Sequence, residues 1–486
     1  MKRCRMSQPQ SLPSNGHHKR AVLLFGGLGA QPWNRDLVIR ESRAAGLRLV
    51  VAKLASDHSD TMLPEVHRDT GGDVSALVEA TEVLPDEVCS VSFELAERLR
   101  DRYGEDWYVL PLNDYIAEYA AELSARIGKG CYPAGSAEAV KRKHALRGMW
   151  NRLAERPGSS LCPVEFCYVE QRGSGEFEYV ESAGFEHLPE RTPLIVKPDE
   201  LSASIEIHSA ASKREALSLA RHVCDQLGTK WAPIGESIGA AVLPRVIIES
   251  AIARSEALHP GAEYSAEYVS YGGEHHLAGV VQKWTGAGFV ETGHLFPAES
   301  FPPRLGPALS SAVVEMLGQL RVDYGVSHWE FIVTPDERVA LVEGHLRAAG
   351  GRIMELIERG VGKSPTGALC EALARGRGDF RFEPRRSCGI FWMVPRSPLP
   401  QVAEVVVEEE LLNMEWNEDL YINEKGIKAT PNWSRATDVI TRFAHVIATG
   451  GSGAEVLGRC REAAGRIRLV GEGGSGSTQL MLACDQ

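Results

Sequence analysis

In the first third of the chain, short apolar runs alternate with segments of helical periodicity. A buried parallel strand is a continuous apolar run, and strands that alternate with helices are typical of a parallel sheet. The pattern predicts a doubly wound α/β domain over residues 19–131, preceded by a polar, disordered tail at 1–18. The apolar runs are 21–25, 47–51 and 108–112, and the helical segments are 92–103 and 116–127.

A glycine-rich turn follows the first of these runs. Gly27-Leu28-Gly29 supplies two glycines of a GxGxxG fingerprint, and Pro32 stands where the third would be. The segment is therefore either a dinucleotide-binding loop or a plain turn, and the missing glycine favours the turn.

Beyond residue 131 the pattern changes. A basic helical segment at 136–155 comes first, and strand-like alternation then dominates until a helix at 307–320. A mixed region at 379–470 predicts a further domain, followed by a flexible tail at 471–486. The predicted strands are 192–197, 246–249, 263–271, 276–284, 389–394 and 402–407.

The most informative stretch predicts a β-hairpin whose two strands, 327–333 and 339–345, are joined by a turn containing Pro335-Asp336. Facing residues then have numbers that sum to 673. Glu330 faces Glu343, His328 faces His345, and all four side chains lie on one side because strand side chains alternate.

Two facing carboxylates lie about 5 Å apart and repel each other unless a cation, a proton or an arginine lies between them. Mg²⁺ takes a few carboxylates and completes its shell with water and phosphate oxygens, so the hairpin resembles a Mg²⁺–nucleotide platform. The alternative is an exposed hairpin with solvated glutamates. Arg347 lies two residues beyond the hairpin, where it would hold a phosphate or an oxyanion, neutralise the glutamates, or both. Gly350 and Gly351 then permit close backbone approach.

Taken together, these residues resemble the ATP-grasp superfamily from about residue 108 to the end of the third domain. The resemblance implies an ATP-grasp domain at 132–378 with a lid at about 190–250. It also implies roles for individual residues, in the family's order: Lys143 and Lys197 on phosphate, Glu249, Ser250 and Ile252 at adenine, Glu263 (in 261–267) on ribose, and Glu330 and Glu343 on magnesium.

One motif resembles the branch of L-amino acid ligases and carnosine-synthase-like enzymes. It is Phe289-Val-Glu-Thr-Gly-His294, followed by Phe296-Pro297-Ala298. In that motif Glu291 and His294 would recognise an amino acid, or else belong to an ordinary hydrogen-bonded loop. Lys283, just upstream, would reach an acyl phosphate or be a solvated strand lysine.

Three positions depart from the family's pattern. The phosphate loop is Asp199-Glu-Leu-Ser-Ala-Ser204, without glycines, so the hydroxyls and backbone of Ser202 and Ser204 would cradle phosphate. His345 replaces a metal-binding asparagine, and it either coordinates a softer ion or makes a hydrogen bond. Gly351 replaces a bulky side chain, so we expect a wider substrate pocket.

The resemblance implies an ADP-forming carboxylate–amine ligase that uses ATP and two Mg²⁺ ions, with Mn²⁺ as a substitute. A substrate carboxylate would take the γ-phosphoryl group, assisted by Lys143 and Lys197. A second substrate's amine would attack the acyl phosphate while Arg347 stabilises the oxyanion. The substrates would be amino acids or a small acid, bound near Glu291, His294, Lys283, Arg347 and the glycines Gly350 and Gly351.

Two other functions remain open. Segments 442–447 and 454–467 resemble the C-terminal domain of biotin carboxylase, which favours a bicarbonate-dependent ligase. The glycine-poor loop is compatible with a nucleotide-binding protein that has no activity. The Glu291/His294 motif argues against the first, and the intact lysines and glutamates argue against the second.

Composition excludes several classes of protein. The chain of 486 residues has 53 Lys and Arg against 65 Asp and Glu, a net charge of −12 without a basic block, so we expect no nucleic-acid partner. The apolar runs are too short to span a bilayer, and the N-terminus has no secretory apolar core. Ten cysteines without a CxxC pair fit free thiols in a reducing cytoplasm. A homodimer is compatible with the family.

Overall fold

The computed structural model is described for most of the chain. The predicted tail 1–18 and the glycine turn 27–29 lie outside the described residues, as does most of the predicted helix 92–103. The described residues are 21–25, 32–54, 80–84, 97, 100–101, 107–172, 178–181, 184–190, 193–202, 204–232, 242–255, 257–258, 262–435 and 442–486.

The N-terminal part contains the predicted parallel sheet. Its four strands lie in the order β3-β2-β1-β4, all parallel. A 3-10 turn at Asp114–Ile116 follows β4, at the carboxyl edge of the sheet. The elements are β1 (Ala21–Phe25), α1 (Pro32–Ala44), β2 (Arg48–Leu54), β3 (Ala80–Leu84), β4 (Trp107–Pro111) and α2 (Ala117–Ile127).

The region predicted to form a lid contains a five-stranded antiparallel sheet, named the lid sheet below, in the order β6-β5-β9-β7-β8. It begins at residue 166, earlier than the expected 190, because β5 pairs with β9. The basic segment before it is two helices separated at Arg142. The elements are α3 (Ala134–Lys141), α4 (Lys143–Ala154), β5 (Phe166–Arg172), β6 (Glu178–Glu181), β7 (Leu194–Pro198), β8 (His208–Ala210), α5 (Lys213–Gln226) and β9 (Arg245–Ser250).

An eleven-stranded sheet forms the rest of the protein. It runs from β14 through β13, β10, β11 and β12 into β15 and the C-terminal strands. Because the strand Glu291–Phe296 pairs with the strand Ser387–Pro395, the sheet crosses the predicted domain boundary at 378 without a break. The elements up to that point are β10 (Glu263–Tyr271), β11 (Glu274–Thr285), β12 (Glu291–Phe296), α6 (Gly306–Gln319), β13 (Tyr324–Val333), β14 (Val339–His345), α7 (Ile353–Val361) and α8 (Pro365–Arg375).

The prediction of a flexible tail at 471–486 is wrong. Residues Ser477–Leu482 form a strand that pairs with both the strand Ser387–Pro395 and the strand Ile467–Gly471, and Leu480 and Leu482 are fully buried. The glycines and the serine at 472–476, which suggested a tail, connect this strand to the strand Ile467–Gly471. The C-terminal elements are β15 (Ser387–Pro395), β16 (Val402–Val407), α9 (Glu409–Leu412), β17 (Asn417–Ile422), α10 (Glu424–Ala429), β18 (Ala444–Gly450), α11 (Gly453–Gly465), β19 (Ile467–Gly471) and β20 (Ser477–Leu482).

The two antiparallel sheets enclose the candidate site. One core packs the N-terminal elements against α6 and the strands β10, β13 and β14, and a second surrounds β15, β18 and α11. A separate core fills the lid sheet. None of the described helices has the length and apolar character required to cross a membrane.

Candidate active site

A cavity of about 300 Å³ lies between the lid sheet and the edge of the large sheet. The lid contributes residues of β7 and β9, and the large sheet contributes residues of β10, β13 and β14. Nine of the residues predicted for the nucleotide and the metal line it: Lys143, Lys197, Ser202, Ser204, Glu249, Ile252, Glu263, Glu330 and Glu343.

Two buried lysines line the cavity. Lys143 begins α4, donates to the carbonyl of Leu201, and lies 3.5 Å from a carboxylate oxygen of Glu343. Lys197, on β7, lies 2.6 Å from Oε1 of Glu249 on the neighbouring strand. Two cations that converge on one cavity suit a phosphate chain.

Arg147 is a buried partner that the sequence analysis missed. Its Nε and Nη2 donate to Oε2 of Glu249 at 3.2 and 2.9 Å, and it also donates to the carbonyls of Leu341 and Val342. Burial would raise the pKa of Glu249, but Arg147 and Lys197 outweigh it and lower that pKa. Its spacing of four residues from Lys143 places it on the same helical face, which is the signal that could have identified it.

The hairpin has the predicted register. Glu330 faces Glu343 and His328 faces His345, with a register shift after Glu330. All four side chains are buried or nearly so, which excludes the solvated alternative. Lys283 and His328 contact Glu330, and His345 contacts Glu343.

The two glutamates fit a magnesium ion. Burial would raise the pKa of each carboxyl group, but Lys283 beside Glu330 and Lys143 beside Glu343 lower it, so both are ionised. Mg²⁺ binds through one or two carboxylates together with phosphate oxygens and water. No cluster of three or more His, Cys, Asp or Glu side chains among the described residues forms a complete ion cage, so phosphate and water would supply the other ligands.

Lys283 is not a solvated strand lysine. It is 1% exposed, contacts Glu330, and lies 2.7 Å from Glu291 and 4.0 Å from Glu263. Burial would lower its pKa, but the three carboxylates outweigh that effect, so the lysine stays charged. It therefore links the carboxylates at the cavity to Glu291.

The space beside Gly351 is filled, so the prediction of a wider pocket there is wrong. A Cβ on Gly351 would come 2.5 Å from Nε2 of His294, and the glycine has φ +60°. His294 is fully buried, and its Nε2 lies 3.6 Å from Glu291. Arg442, from the C-terminal part, lies 3.5 Å from the same carboxylate and 4.4 Å from the ring of Trp392.

Arg347 does not line the cavity. Its Nε and Nη2 donate to Oδ2 of Asp114 at 2.9 and 2.7 Å. Burial would raise the pKa of Asp114, but Arg347 and His345 hold it well below its usual range. Asp114 follows β4, at the carboxyl edge where open α/β sheets place ligand-binding residues, a signal that the sequence analysis did not use.

Six other predicted residues also lie off the cavity lining: Ser250, Lys283, Glu291, His294, Gly350 and Gly351. The Ser250 hydroxyl donates to Glu165 at 3.4 Å, while the next two residues, Ala251 and Ile252, line the cavity. Gly350 precedes Gly351 in the turn before α7, and its carbonyl accepts from the amide of Ile353.

The two acids of the predicted phosphate loop do not line the 300 Å³ cavity. Asp199 accepts from the His144 amide at 2.9 Å and contacts the imidazole of His144, while Glu200 accepts from Arg142 at 3.1 Å. They attach the start of the loop to the amino end of α4. Further along, the Ser204 hydroxyl donates to the carbonyl of Phe289 at 2.9 Å.

Solved structures with this architecture are numerous. The L-amino acid ligase from Bacillus licheniformis superposes with a TM-score of 0.67 at 13% identity, covering 94% of this chain and 100% of that one. The chain has the ATP-grasp fold. No family model and no curated protein matches the sequence.

Two further solved structures superpose with lower TM-scores. Phosphoribosylglycinamide synthetase from Anaerococcus prevotii has a TM-score of 0.60 at 13% identity, with 93% of this chain and all of that chain covered. The biotin carboxylase domain of a 2-oxoglutarate carboxylase from Hydrogenobacter thermophilus, in complex with MgADP, ADP and bicarbonate, has 0.59 at 11%, with 96% and 92% covered.

Proposed function

We propose that this protein is an ATP-dependent, ADP-forming ligase that joins the carboxylate of one amino acid, or of a small acid, to the amine of another. The proposal rests on a series of charged side chains in contact with one another, which extends from the cavity to Glu291 in the motif 289–294. Lys143, Lys197, Glu330 and Glu343 border one cavity, and Lys283 connects Glu330 to Glu291.

In this proposal the nucleotide occupies the cavity between the sheets. Lys143 and Lys197 bind its phosphates, Glu263 binds the ribose, and Ile252 with the adjoining backbone contacts adenine. Because both oxygens of Glu249 are engaged by Lys197 and Arg147, that carboxylate orients the lysine rather than the base. Glu330 and Glu343 would hold Mg²⁺, which neutralises charge on the phosphates.

The ligation would proceed in two steps. A carboxylate oxygen attacks the γ-phosphorus and releases ADP, which leaves an acyl phosphate. The second amine then attacks the acyl carbon, and phosphate leaves with one oxygen of the original carboxylate. Lys283 lies between Glu330 and Glu291, nearer the cavity carboxylates than Arg347, so Lys283 stabilises the oxyanion and Arg347 acts with Asp114 as a fixed pair.

Phosphate release tests the proposal. The protein is incubated with ATP, Mg²⁺ and the common L-amino acids, singly and in pairs, in the absence and presence of bicarbonate, and products are analysed by mass spectrometry. We expect phosphate release that depends on a pair and yields a dipeptide mass, and no release by Glu343→Gln. Release that depends on bicarbonate alone would favour the carboxylase alternative, and ATP binding without release under any condition would favour the non-catalytic one.

The proposal places the protein in the cytoplasm, where ATP, Mg²⁺ and free amino acids are available. It needs no nucleic-acid or membrane partner. A homodimer is the expected assembly, and sedimentation velocity measures it directly.

A further inference from the structure

Two histidines of the hairpin lie side by side behind the glutamates of the cavity. The rings of His328 and His345 are nearly parallel, with centroids 5.7 Å apart and an angle of 13° between their planes. Both are buried, and neither lines the 300 Å³ cavity, although His345 lines a smaller pocket that shares Lys143, Ser202 and Glu343 with it. Their ring nitrogens therefore have to find partners within the protein.

Each nitrogen of His345 has a carboxylate partner. Nε2 lies 3.1 Å from Oε1 of Glu343, and Nδ1 lies 2.9 Å from Oδ1 of Asp114. Asp114 belongs to the turn after β4, in the N-terminal part, whereas Glu343 is on β14. The imidazole thus joins two distant segments of the chain.

His328 repeats the arrangement on the adjacent strand. Its Nε2 lies 2.9 Å from Oε1 of Glu330, and its Nδ1 lies 2.8 Å from Oε1 of Glu267. Glu267 faces His328 directly in the pairing of β10 with β13, and it is fully buried. The hairpin therefore contains two parallel chains in the same order: an outer carboxylate, an imidazole and a cavity glutamate.

A ring held at both nitrogens has one orientation, and it restricts the rotamers of the glutamate that it contacts. Partners of this kind, behind metal ligands, are known to change metal affinity 10- to 100-fold when they are replaced. They act because an ordered ligand has less conformational entropy to lose when the ion binds.

We propose that His345 and His328 are positioning residues for the metal-binding glutamates, held in turn by Asp114 and Glu267. This inference rests on the proposed nucleotide and magnesium site. It assigns His345 a role other than ligation, because both of its nitrogens already face carboxylate oxygens of the protein.

Asp114 also accepts hydrogen bonds from Arg347. Its Oδ2 accepts from Arg347 while Oδ1 contacts His345. One carboxylate from the N-terminal part thus fixes both the arginine and, through the imidazole, Glu343. We therefore expect Asp114→Asn to disturb the contacts of Arg347, of His345 and, through His345, of Glu343.

The test measures ADP binding to the full-length protein by calorimetry, in EDTA and over a range of Mg²⁺ concentrations. We expect Asp114→Asn and His345→Gln to raise the half-saturating Mg²⁺ concentration 10- to 100-fold, with ADP affinity in EDTA changed less than about twofold. His276→Gln, on β11, where the ring stacks on Phe380, is the matched control and should leave both quantities unchanged.

The affinity for ADP in EDTA distinguishes a loss of glutamate positioning from misfolding of the protein. If Asp114→Asn loses ADP binding in EDTA as well, His328→Gln and Glu267→Gln test the second chain, and a parallel loss in all variants would overturn the inference. An unchanged Mg²⁺ requirement would also overturn it.

Replacing Mg²⁺ with Mn²⁺ distinguishes positioning from ligation. We expect the ratio of the two metal affinities to be the same in His345→Gln and the wild type. A selective loss of Mn²⁺ would identify the imidazole as a ligand and overturn the inference. A wild-type protein that binds no ADP, with or without metal, would instead refute the proposed function on which the inference rests.

Discussion

Arg147 connects three segments around the candidate site, and its removal gives a quantitative prediction. The side chain is 2% exposed and donates to Glu249 on the lid sheet and to the carbonyls of Leu341 and Val342 on the hairpin. Arg147→Met keeps much of the volume but removes the charge and the donors. Two backbone carbonyls lose a donor, and Glu249 retains only Lys197 as a cationic partner.

Removal of one partner from a buried ion pair costs about 3–5 kcal/mol. Because Lys197 stays 2.6 Å from Glu249, we expect the lower end, about 3 kcal/mol. For a unit of 150–250 residues, each kcal/mol shifts the melting temperature by about 2–4 °C, which gives a decrease of about 6–12 °C.

The assay is thermal unfolding followed by circular dichroism at pH 7 and at pH 4. The folded-state pKa of Glu249 is lowered, so the stability that its pairing contributes is present above the ordinary carboxyl pKa and is lost as the pH falls through the folded value. The difference between wild type and Arg147→Met should therefore shrink at pH 4. A melting temperature within 1 °C of wild type at pH 7 would refute the reasoning, and Arg147→Lys, with the charge but not the fork, should be intermediate.

Three further predictions concern the phosphate site, the substrate side and the C-terminus. Lys197→Ala should raise the KM for ATP about 10- to 150-fold, as expected for loss of a charged hydrogen bond, and an initial-rate series checks it. Gly351→Ala should impair both stability and turnover, since its Cβ would meet His294 at 2.5 Å in a backbone conformation with φ +60°, and His294→Ala in the same chain should relieve the steric part in a melting experiment. Leu480→Ala should destabilise the protein by about 2–5 kcal/mol in denaturant unfolding, because the side chain is fully buried; a neutral effect would support a dispensable tail.

The hairpin shows what the sequence could predict. Alternation and a turn signal place Glu330 opposite Glu343, because the pairing of a short hairpin depends on local residues alone. Three of the four strands of the parallel N-terminal sheet were also predicted, from their apolar runs, whereas β3 was not. The order of motifs along the chain then leads to the ATP-grasp fold.

Contacts between residues that are far apart in the sequence could not be predicted from local patterns. Asp114 and Arg347 are separated by more than two hundred positions, and nothing local indicates that they meet. His294 and Gly351 are more than fifty positions apart, and no local pattern indicates that the imidazole fills the space beside the glycine. Strand β20 was missed for a different reason, since the glycine-rich connection at 472–476 suggested a tail although β19 and β20 pair as a local hairpin.

If ATP activates a substrate carboxylate at this site, one oxygen atom of that carboxylate is transferred to the released phosphate, and isotope labelling measures this transfer directly. A mixture of the common L-amino acids with ¹⁸O in their carboxylates is incubated with the protein, ATP and Mg²⁺, and the released phosphate is analysed by mass spectrometry. The account predicts one ¹⁸O atom in each phosphate, because the acyl–oxygen bond breaks when the amine attacks. Phosphate that carries no label would mean that water attacks ATP, and would contradict the account.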